Sequence, residues 1–190
     1  YPAETLHETI PNFHNTVKRF SDFKKAVEKD ACGRAADVQK EIQFVLEREQ
    51  LTHTLVDLQE AGKLPLRVTH NDTKLNNIMI DNATHKGICV IDLDTVMPGL
   101  SLNDFGDSIR FGASTAAEDE QDISKVFCDL HLFEVYVKGF LKGCGGALTD
   151  LEVEMLPMGA ILMTFECGMR FLADHLEGDH YFRIHRENQN

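Results

Sequence analysis

The sequence predicts an α+β fold that is mainly helical, with a small antiparallel β region between two helical blocks. Apolar residues recur at helical spacing through the N-terminal third and again through the C-terminal half. Between these blocks lie three short strand-like runs, "LRVTH", "IMI" and "ICVID", separated by polar turns. Because the strands do not alternate with helices, a doubly wound parallel sheet is not expected.

The N-terminal block is predicted to contain two helices. Residues 17–29 are amphipathic, with Phe20, Phe23 and Val27 on one side. A second apolar pattern at helical spacing runs through residues 33–61, and Gly62 provides a C-terminal stop signal.

The C-terminal half is predicted to be helical, with a first helix beginning in "NDFGDSIRFG". An apolar stripe from Ile123 to Phe140 indicates one helix, which ends at the glycine-rich break 143–146. A last, apolar helix is predicted from about residue 149 to 176, bent at Pro157.

Composition excludes some classes of function. The chain has 190 residues and a formal net charge of −12, which opposes binding to nucleic acid or to an anionic membrane surface. The longest uninterrupted apolar run is short, so no membrane span is predicted. Five scattered cysteines without a CxxC pair predict reduced, mostly buried thiols and a cytoplasmic protein.

The stretch "CVIDLDTVMPG" delivers Asp92 and Asp94 from an apolar strand into a turn. Two phosphate chemistries use such an arrangement: a phosphatase whose first strand-end Asp is the nucleophile, and a kinase-like enzyme whose Asp binds magnesium. The phosphatase needs βαβ units after the strand, whereas this sequence reads as helical there. That difference favours the kinase-like interpretation.

The segment "HNDTKLNN" follows the first predicted strand directly. His70, Asp72 and Asn77 fit the pattern HxDxxxxN, in which the Asp accepts the proton of the substrate hydroxyl and the Asn binds magnesium. A hairpin turning near Thr84 pairs residues whose numbers sum to 168 or 169, which places Asp92 opposite Asn77. Oxygen ligands that converge from two strands suit Mg²⁺.

Other polar residues near these strands have two interpretations each. Lys74 is expected either to contact a transferred phosphate or to be a solvated loop residue, and Asp94 either to share the metal or to shape the turn. His70 is expected to brace the loop. Asp104 or Asp107 is expected to cap the following helix or to brace the catalytic loop, with Asp107 preferred for bracing.

Together these strings resemble the aminoglycoside phosphotransferase/choline kinase-like superfamily. Four strings are more narrowly similar to N-acetylhexosamine 1-kinases: "ETIPNFH", "THNDTKLNN", "VIDLDTVMPG" and "RFLADHLEGDHYF". The resemblance implies transfer of the γ-phosphate of ATP to a sugar hydroxyl. It implies Asp72 as the base and Asn77 and Asp92 as Mg²⁺ ligands.

The resemblance also associates Arg170 and Tyr181 with sugar binding, although Arg170 could instead pair with Asp174 one helical turn on. It implies that residues 1–190 form the helical C-terminal lobe of a bilobal kinase-like fold. A Gly-rich phosphate loop and a strand lysine are missing from the sequence, so we expect the N-terminal nucleotide-binding lobe to be absent and this fragment alone to be inactive.

Three alternatives stay open at this point. The acceptor could be another small hydroxyl compound of the aminoglycoside, choline or homoserine type. The protein could be an Asp92-nucleophile phosphatase. It could also be a kinase-like scaffold without catalysis.

Overall fold

Six helices and four short strands make up the computed structural model, which describes residues 2–187 and 189–190. The helices are α1 (Thr16–Lys29), α2 (Gln39–Leu46), α3 (Glu49–Glu60), α4 (Ser101–Gly112), α5 (Leu130–Cys144) and α6 (Asp150–Glu177). The strands are β1 (Arg67–Thr69), β2 (Ile78–Ile80), β3 (Gly87–Val90) and β4 (Met97–Gly99). The predicted mainly helical α+β class is confirmed.

The strands form two antiparallel sheets of two strands each. β1 pairs with β4, and β2 pairs with β3 in a hairpin. β4 was not predicted from the sequence because its three residues, "MPG", lack an apolar alternation and include Pro98. It forms because the chain returns from the hairpin alongside β1, where Met97 pairs with Thr69.

Before the bulge in the hairpin, the numbers of paired residues sum to 168, which is one of the two predicted values. This register corrects the predicted pairing of Asp92 with Asn77. Ile78 lies opposite Val90, and a bulge follows Met79. Ile91, not Asp92, is therefore opposite Asn77, and the Ile91 amide donates to the Asn77 carbonyl over 3.0 Å. Asp92 comes one residue later, with a left-handed φ of 64° that turns the chain out of the strand.

The core lies where α4 crosses α6. Leu102 and Phe105 of α4 are fully buried there, against Leu162 of α6. Gly106 and Gly159 let the two helices approach closely, because a Cβ on Gly106 would collide with the Gly159 carbonyl. A second cluster joins α1 and α2 to the C-terminal half of α6.

Two predicted helices differ from the structure. The pattern over residues 33–61 is divided into a 3-10 turn (Ala35–Val38), α2 and α3. The stripe that begins at Ile123 is not one helix: α5 starts only at Leu130, where the Asp129 carboxylate caps two backbone amides. Ile123 is 85% exposed, so its apolar periodicity does not reflect core packing.

The five cysteines are free, as expected for reduced thiols, but the expectation that most are buried is wrong. Cys32, Cys89 and Cys128 are exposed, whereas Cys144 and Cys167 are partly buried.

Among the described residues, α6 is the one helix that is long and apolar enough to cross a membrane by length and composition. No membrane span was predicted from the sequence, because only uninterrupted apolar runs were considered and the apolar residues of α6 are interrupted. Half of its most apolar window is buried, and the helix contacts α1 and α4. Its apolar character is therefore explained by its place in the core.

Candidate active site

Asp72 lies in the loop that connects β1 to β2. Its Oδ2 accepts hydrogen bonds from Lys74 Nζ (2.8 Å) and from Asn77 Nδ2 (2.9 Å). Asn77 Nδ2 also donates to the Asp72 carbonyl over 2.8 Å. Within the described residues, Asp72 Oδ1 accepts no hydrogen bond, so one carboxylate oxygen is held while the other is free to accept a proton or hydrogen bond from a ligand.

Lys74 lies in a strongly negative environment. Burial by itself lowers the pKa of Lys74, but the hydrogen bond to Asp72 and the charges of Asp72, Asp92 and Asp107 outweigh it and raise the pKa. The ammonium is therefore retained. The negative charges of all three carboxylates favour the protonated form of Lys74.

His70 joins the loop to the end of β3. Its Nε2 lies 3.0 Å from the Ile91 carbonyl, and its Nδ1 lies 3.3 Å from the amide of Asp72. Because a carbonyl only accepts, Nε2 carries the proton and Nδ1 accepts from the amide. His70 thus places the loop residue Asp72 relative to the strand that leads to Asp92.

Asp104, in the first turn of α4, holds the backbone of the loop. Its two carboxylate oxygens accept from the amides of His70 (2.9 Å) and Asn71 (2.7 Å). Burial raises the pKa of Asp104, although these two amide donors oppose the shift. Asp104 is the bracing carboxylate, which corrects the sequence-based preference for Asp107.

Asp107 lies one turn further along α4 and faces Arg110 instead. Its Oδ1 accepts from Arg110 Nη2 (3.0 Å) and Nε (3.2 Å), while its buried Oδ2 has no hydrogen-bond partner among the described residues. The two aspartates differ because the Asp104 carboxylate points at the loop amides, whereas the Asp107 carboxylate points at Arg110 on its own helix.

Sequence reasoning also missed His14, which contacts the loop, and Glu166, which holds His14 from the other side. His14 Nε2 lies 2.9 Å from the Asn71 carbonyl, and His14 Nδ1 lies 3.0 Å from Glu166 Oε1 on α6. "ETIPNFH" contributed to the family resemblance, but nothing in its pattern assigned a role to His14. A contact across 57 residues leaves no periodic signal in the sequence.

Asp92 and Asp94 are both exposed beside the loop. The described residues contain no group of three or more His, Cys, Asp or Glu side chains that could hold a metal ion by themselves. The amide oxygen of Asn77 is oriented by its Nδ2 contacts to Asp72, and it accepts no hydrogen bond from the described residues. Asn77 with Asp92 therefore fits Mg²⁺, which takes one or two protein oxygens and completes its shell with phosphate and water.

Arg170 and Tyr181 lie next to one another at the C-terminal end of the molecule. The Arg170 guanidinium carbon is 5.3 Å from the Tyr181 ring centroid and 5.4 Å from the Phe182 centroid. Asp174 does not pair with Arg170; it accepts instead from the amides of His180, Tyr181 and Phe182. The alternative of an Arg170–Asp174 salt bridge is wrong in this structure, and Tyr181 is 70% exposed.

Charged residues of α4, together with Arg170, influence the pKa of the Cys167 thiol on α6. Burial raises the pKa of the Cys167 thiol to about 11, while the charges of Arg110 and Arg170 lower it and those of Glu118 and Asp107 raise it. Arg170 and Asp107 thus lie around the same part of α6.

The phosphatase interpretation of Asp92 does not fit this fold. Both sheets are antiparallel, and within the described residues no strand is followed by a helix and a parallel strand. An Asp-nucleophile phosphatase of the kind considered above depends on such βαβ units.

A helical lobe with an antiparallel hairpin, a loop that presents Asp72 and Asn77 and a strand that leads to Asp92 defines the class of kinase-like phosphotransferases. Residues 4–127 match the model of the phosphotransferase enzyme family, APH. The chain belongs to this family. The match includes the loop, the hairpin and Asp104, whereas Arg170 and Tyr181 lie outside it.

Proposed function

We propose that the protein transfers the γ-phosphate of ATP to a hydroxyl group of a small molecule in the presence of Mg²⁺. The observation that carries this proposal is the carboxylate of Asp72, which Lys74 and Asn77 hold through one oxygen while the other remains free. Asp72 accepts the proton of the attacking hydroxyl. Because phosphoryl transfer depends mostly on positioning and charge neutralisation, this loop needs little further chemistry.

The other loop residues act on the phosphate. Lys74 contacts an oxygen of the transferred phosphoryl group, and Asn77 and Asp92 would hold Mg²⁺. The metal supplies positive charge that neutralises the phosphate oxygens. Asp94 is exposed in the short turn after Asp92 and is the second candidate among the aspartates for a Mg²⁺ ligand, after Asp92.

A nucleotide-binding lobe outside residues 1–190 completes the proposed site. The β2–β3 hairpin leaves apolar side chains open on both faces, including Met79 (49% exposed) and Ile88 (63% exposed). Two-stranded hairpins are marginal in isolation, so such faces suit a further covering element. We therefore expect that residues 1–190 alone transfer no phosphate.

We propose an N-acetylhexosamine, phosphorylated at its anomeric hydroxyl, as the acceptor. The four strings that resemble N-acetylhexosamine 1-kinases support this choice. So does the Arg170 guanidinium beside the Tyr181 and Phe182 rings, because a planar donor fork and aromatic surfaces suit the hydroxyl and acetamido groups of a sugar.

A second group of acceptors is cationic and includes aminoglycosides and choline. The net charge of −12 favours such acceptors through long-range attraction. The cationic Arg170 near the proposed acceptor end opposes them, which is why the neutral sugar is preferred.

The test is phosphate transfer by the full-length protein with ATP and Mg²⁺. The acceptor panel contains N-acetylglucosamine, N-acetylgalactosamine, an aminoglycoside, choline and homoserine. We expect transfer to an N-acetylhexosamine and a loss of at least ~10²-fold in kcat for Asp72→Asn. Asp57→Asn, an exposed aspartate on α3, is the matched control and should retain activity.

The possible outcomes separate the alternatives. Wild-type turnover in Asp72→Asn would show that Asp72 is not the base. Transfer only to another acceptor would keep the phosphotransferase and remove the sugar. Undetectable nucleotide binding by the full-length protein would support the non-catalytic scaffold.

A further inference from the structure

His14 bridges the catalytic loop and the core helix α6. One ring nitrogen lies 2.9 Å from the Asn71 carbonyl, and the other lies 3.0 Å from Glu166 Oε1. The His14 side chain is 7% exposed, and that of Glu166 is 1% exposed. Neither residue touches the proposed phosphate or metal ligands, so the mechanism described above leaves the pair without a role.

The protons of the pair follow from its hydrogen bonds. The Asn71 carbonyl only accepts, so His14 Nε2 carries a proton. On the other side, a hydrogen bond joins His14 Nδ1 to Glu166 Oε1. Burial lowers the pKa of His14, but the hydrogen bond and charge of Glu166 outweigh it and raise the pKa.

The His14 hydrogen bond is made to a residue with an unusual backbone conformation. Asn71 is a non-glycine residue with a left-handed φ of 63°, and it directly precedes Asp72. Its amide is held by Asp104, and its carbonyl is held by His14. Hydrogen bonds therefore hold the peptide units on both sides of Asn71, the residue that precedes Asp72.

Glu166 also relates this backbone to the proposed acceptor end. Arg170 follows Glu166 by four residues on α6, so both lie on the same face of the helix. A displacement of the loop away from His14 would change the position of Asp72 relative to Arg170.

We propose that His14 and Glu166 form a positioning pair that holds the backbone before Asp72 against α6 and thereby sets the turnover rate. The proposal rests on the proposed function in that Asp72 is taken as the base. It adds two residues that contact neither substrate nor cofactor and act through the Asn71 carbonyl.

The first test is steady-state kinetics of the full-length protein with the acceptor that it uses best. His14→Leu removes the donor to Asn71, so we expect kcat to fall at least ~10-fold while KM for ATP and acceptor stays within ~3-fold. Glu166→Leu should have the same effect, because the imidazole loses the partner that orients it. His131→Leu and Glu154→Gln, both at exposed positions, are the matched controls.

Rescue by a conservative variant separates positioning from a general structural role. In Glu166→Gln, the side-chain amide can donate to His14 Nδ1, and Nε2–H can still donate to Asn71. We expect this variant to retain kcat within ~3-fold of the wild type. An equal loss in Glu166→Gln and Glu166→Leu, or wild-type kcat in a folded His14→Leu, would overturn the proposal.

A second measurement requires neither an acceptor nor activity. In ¹H–¹⁵N spectra of the full-length protein, the backbone amides of Asn71, Asp72 and Asn77 should shift in His14→Leu and Glu166→Leu but stay near their wild-type positions in Glu166→Gln. If the leucine variants do not fold, the protonation of the His14 imidazole nitrogens is read from the ¹H–¹⁵N spectrum of the wild type. A protonated, hydrogen-bonded Nε2 supports the proposed pair. An unprotonated Nε2 contradicts it. A protein that shows these shifts but transfers no phosphate would refute the proposed function and leave the backbone contact established.

Discussion

Lys74 Nζ lies 2.8 Å from Asp72 Oδ2, so the cation proposed for the phosphate is paired with the proposed base. Both side chains are only partly buried. The Lys74 contact orients the carboxylate before substrate binds. An incoming phosphate group would share the Lys74 ammonium, which would leave Asp72 to accept the substrate proton.

The first prediction concerns this pair. In the full-length protein, Lys74→Met should lower kcat by about 10²-fold, because a charge that stabilises the transferring phosphate is lost. Lys63→Met, at an exposed position before β1, should leave kcat unchanged. Rates measured at saturating ATP and acceptor check this. An unchanged kcat in Lys74→Met would make Lys74 a loop residue without a role in transfer.

The second prediction concerns Asp104. Asp104→Asn should lower kcat by roughly 10-fold or more, because the amide NH₂ cannot accept from one of the two backbone N–H groups of His70 and Asn71. Asp107→Asn tests the corrected assignment, since Asp107 contacts Arg110 and not the loop. Amide exchange of His70 and Asn71 should accelerate in Asp104→Asn only. Equal acceleration in both variants would contradict the separation of their roles.

The third prediction concerns the metal. In the full-length protein, Asp92→Asn should raise the Mg²⁺ concentration for half-maximal activity by about 10-fold or more, because one charged oxygen ligand is lost. Asp94→Asn is the matched comparison two residues further on. A smaller change there would identify Asp94 as a turn residue, whereas an equal change would assign it to the metal. The measurement is a Mg²⁺ titration of the transfer rate at fixed ATP.

The fourth prediction concerns the crossing of α4 and α6. Gly106→Ala should destabilise the protein by about 1–3 kcal/mol, because the added methyl group collides with the Gly159 carbonyl. Gly139→Ala on α5 meets no atom within 4 Å and should stabilise by roughly 0.5–1 kcal/mol. Thermal unfolding of both variants checks the opposite signs. Similar shifts in both would show that the close approach of the helices is not the cause.

The fifth prediction concerns the ion pair of the partly exposed Arg67 with the buried Glu152. Burial opposes ionisation of Glu152, but hydrogen bonds from Arg67, the Thr149 amide and Ser101 outweigh it and lower its pKa from 4.5 to about 2. Because the folded pKa is below the unfolded one, the ionised pair stabilises the fold above pH 4.5. This contribution, about 3 kcal/mol, is lost as the pH falls toward 2.

The corresponding measurement is thermal unfolding of the wild type and of Glu152→Gln between pH 7 and pH 2. The difference in stability should be largest at neutral pH and should shrink as the pH falls. A difference that does not depend on pH would contradict the assigned ionisation of Glu152.

The helical class, the hairpin and the identity of Asp72, Asn77 and Asp92 as loop or strand-end residues could be predicted because they depend on patterns within short segments. The hairpin register was accessible to within one residue, since a turn and two strands determine it locally. The short strand β4 and the divided helix before Glu60 could not be predicted. Pairing of β4 with β1 and packing of α2 against α6 override the weak local signals of those segments.

By itself, the sequence determined which residue types meet in the loop after β1, because their spacing along the chain already limits them to one turn between two strands. Only the tertiary structure decided which residues hold that loop. It assigned the bracing contact to Asp104 rather than Asp107, and it brought His14, which is hydrogen-bonded to Glu166, to the Asn71 carbonyl. The physical reason is that a buried hydrogen bond between distant segments depends on how helices pack, and packing of α4 and α6 is not encoded in the spacing of any single segment.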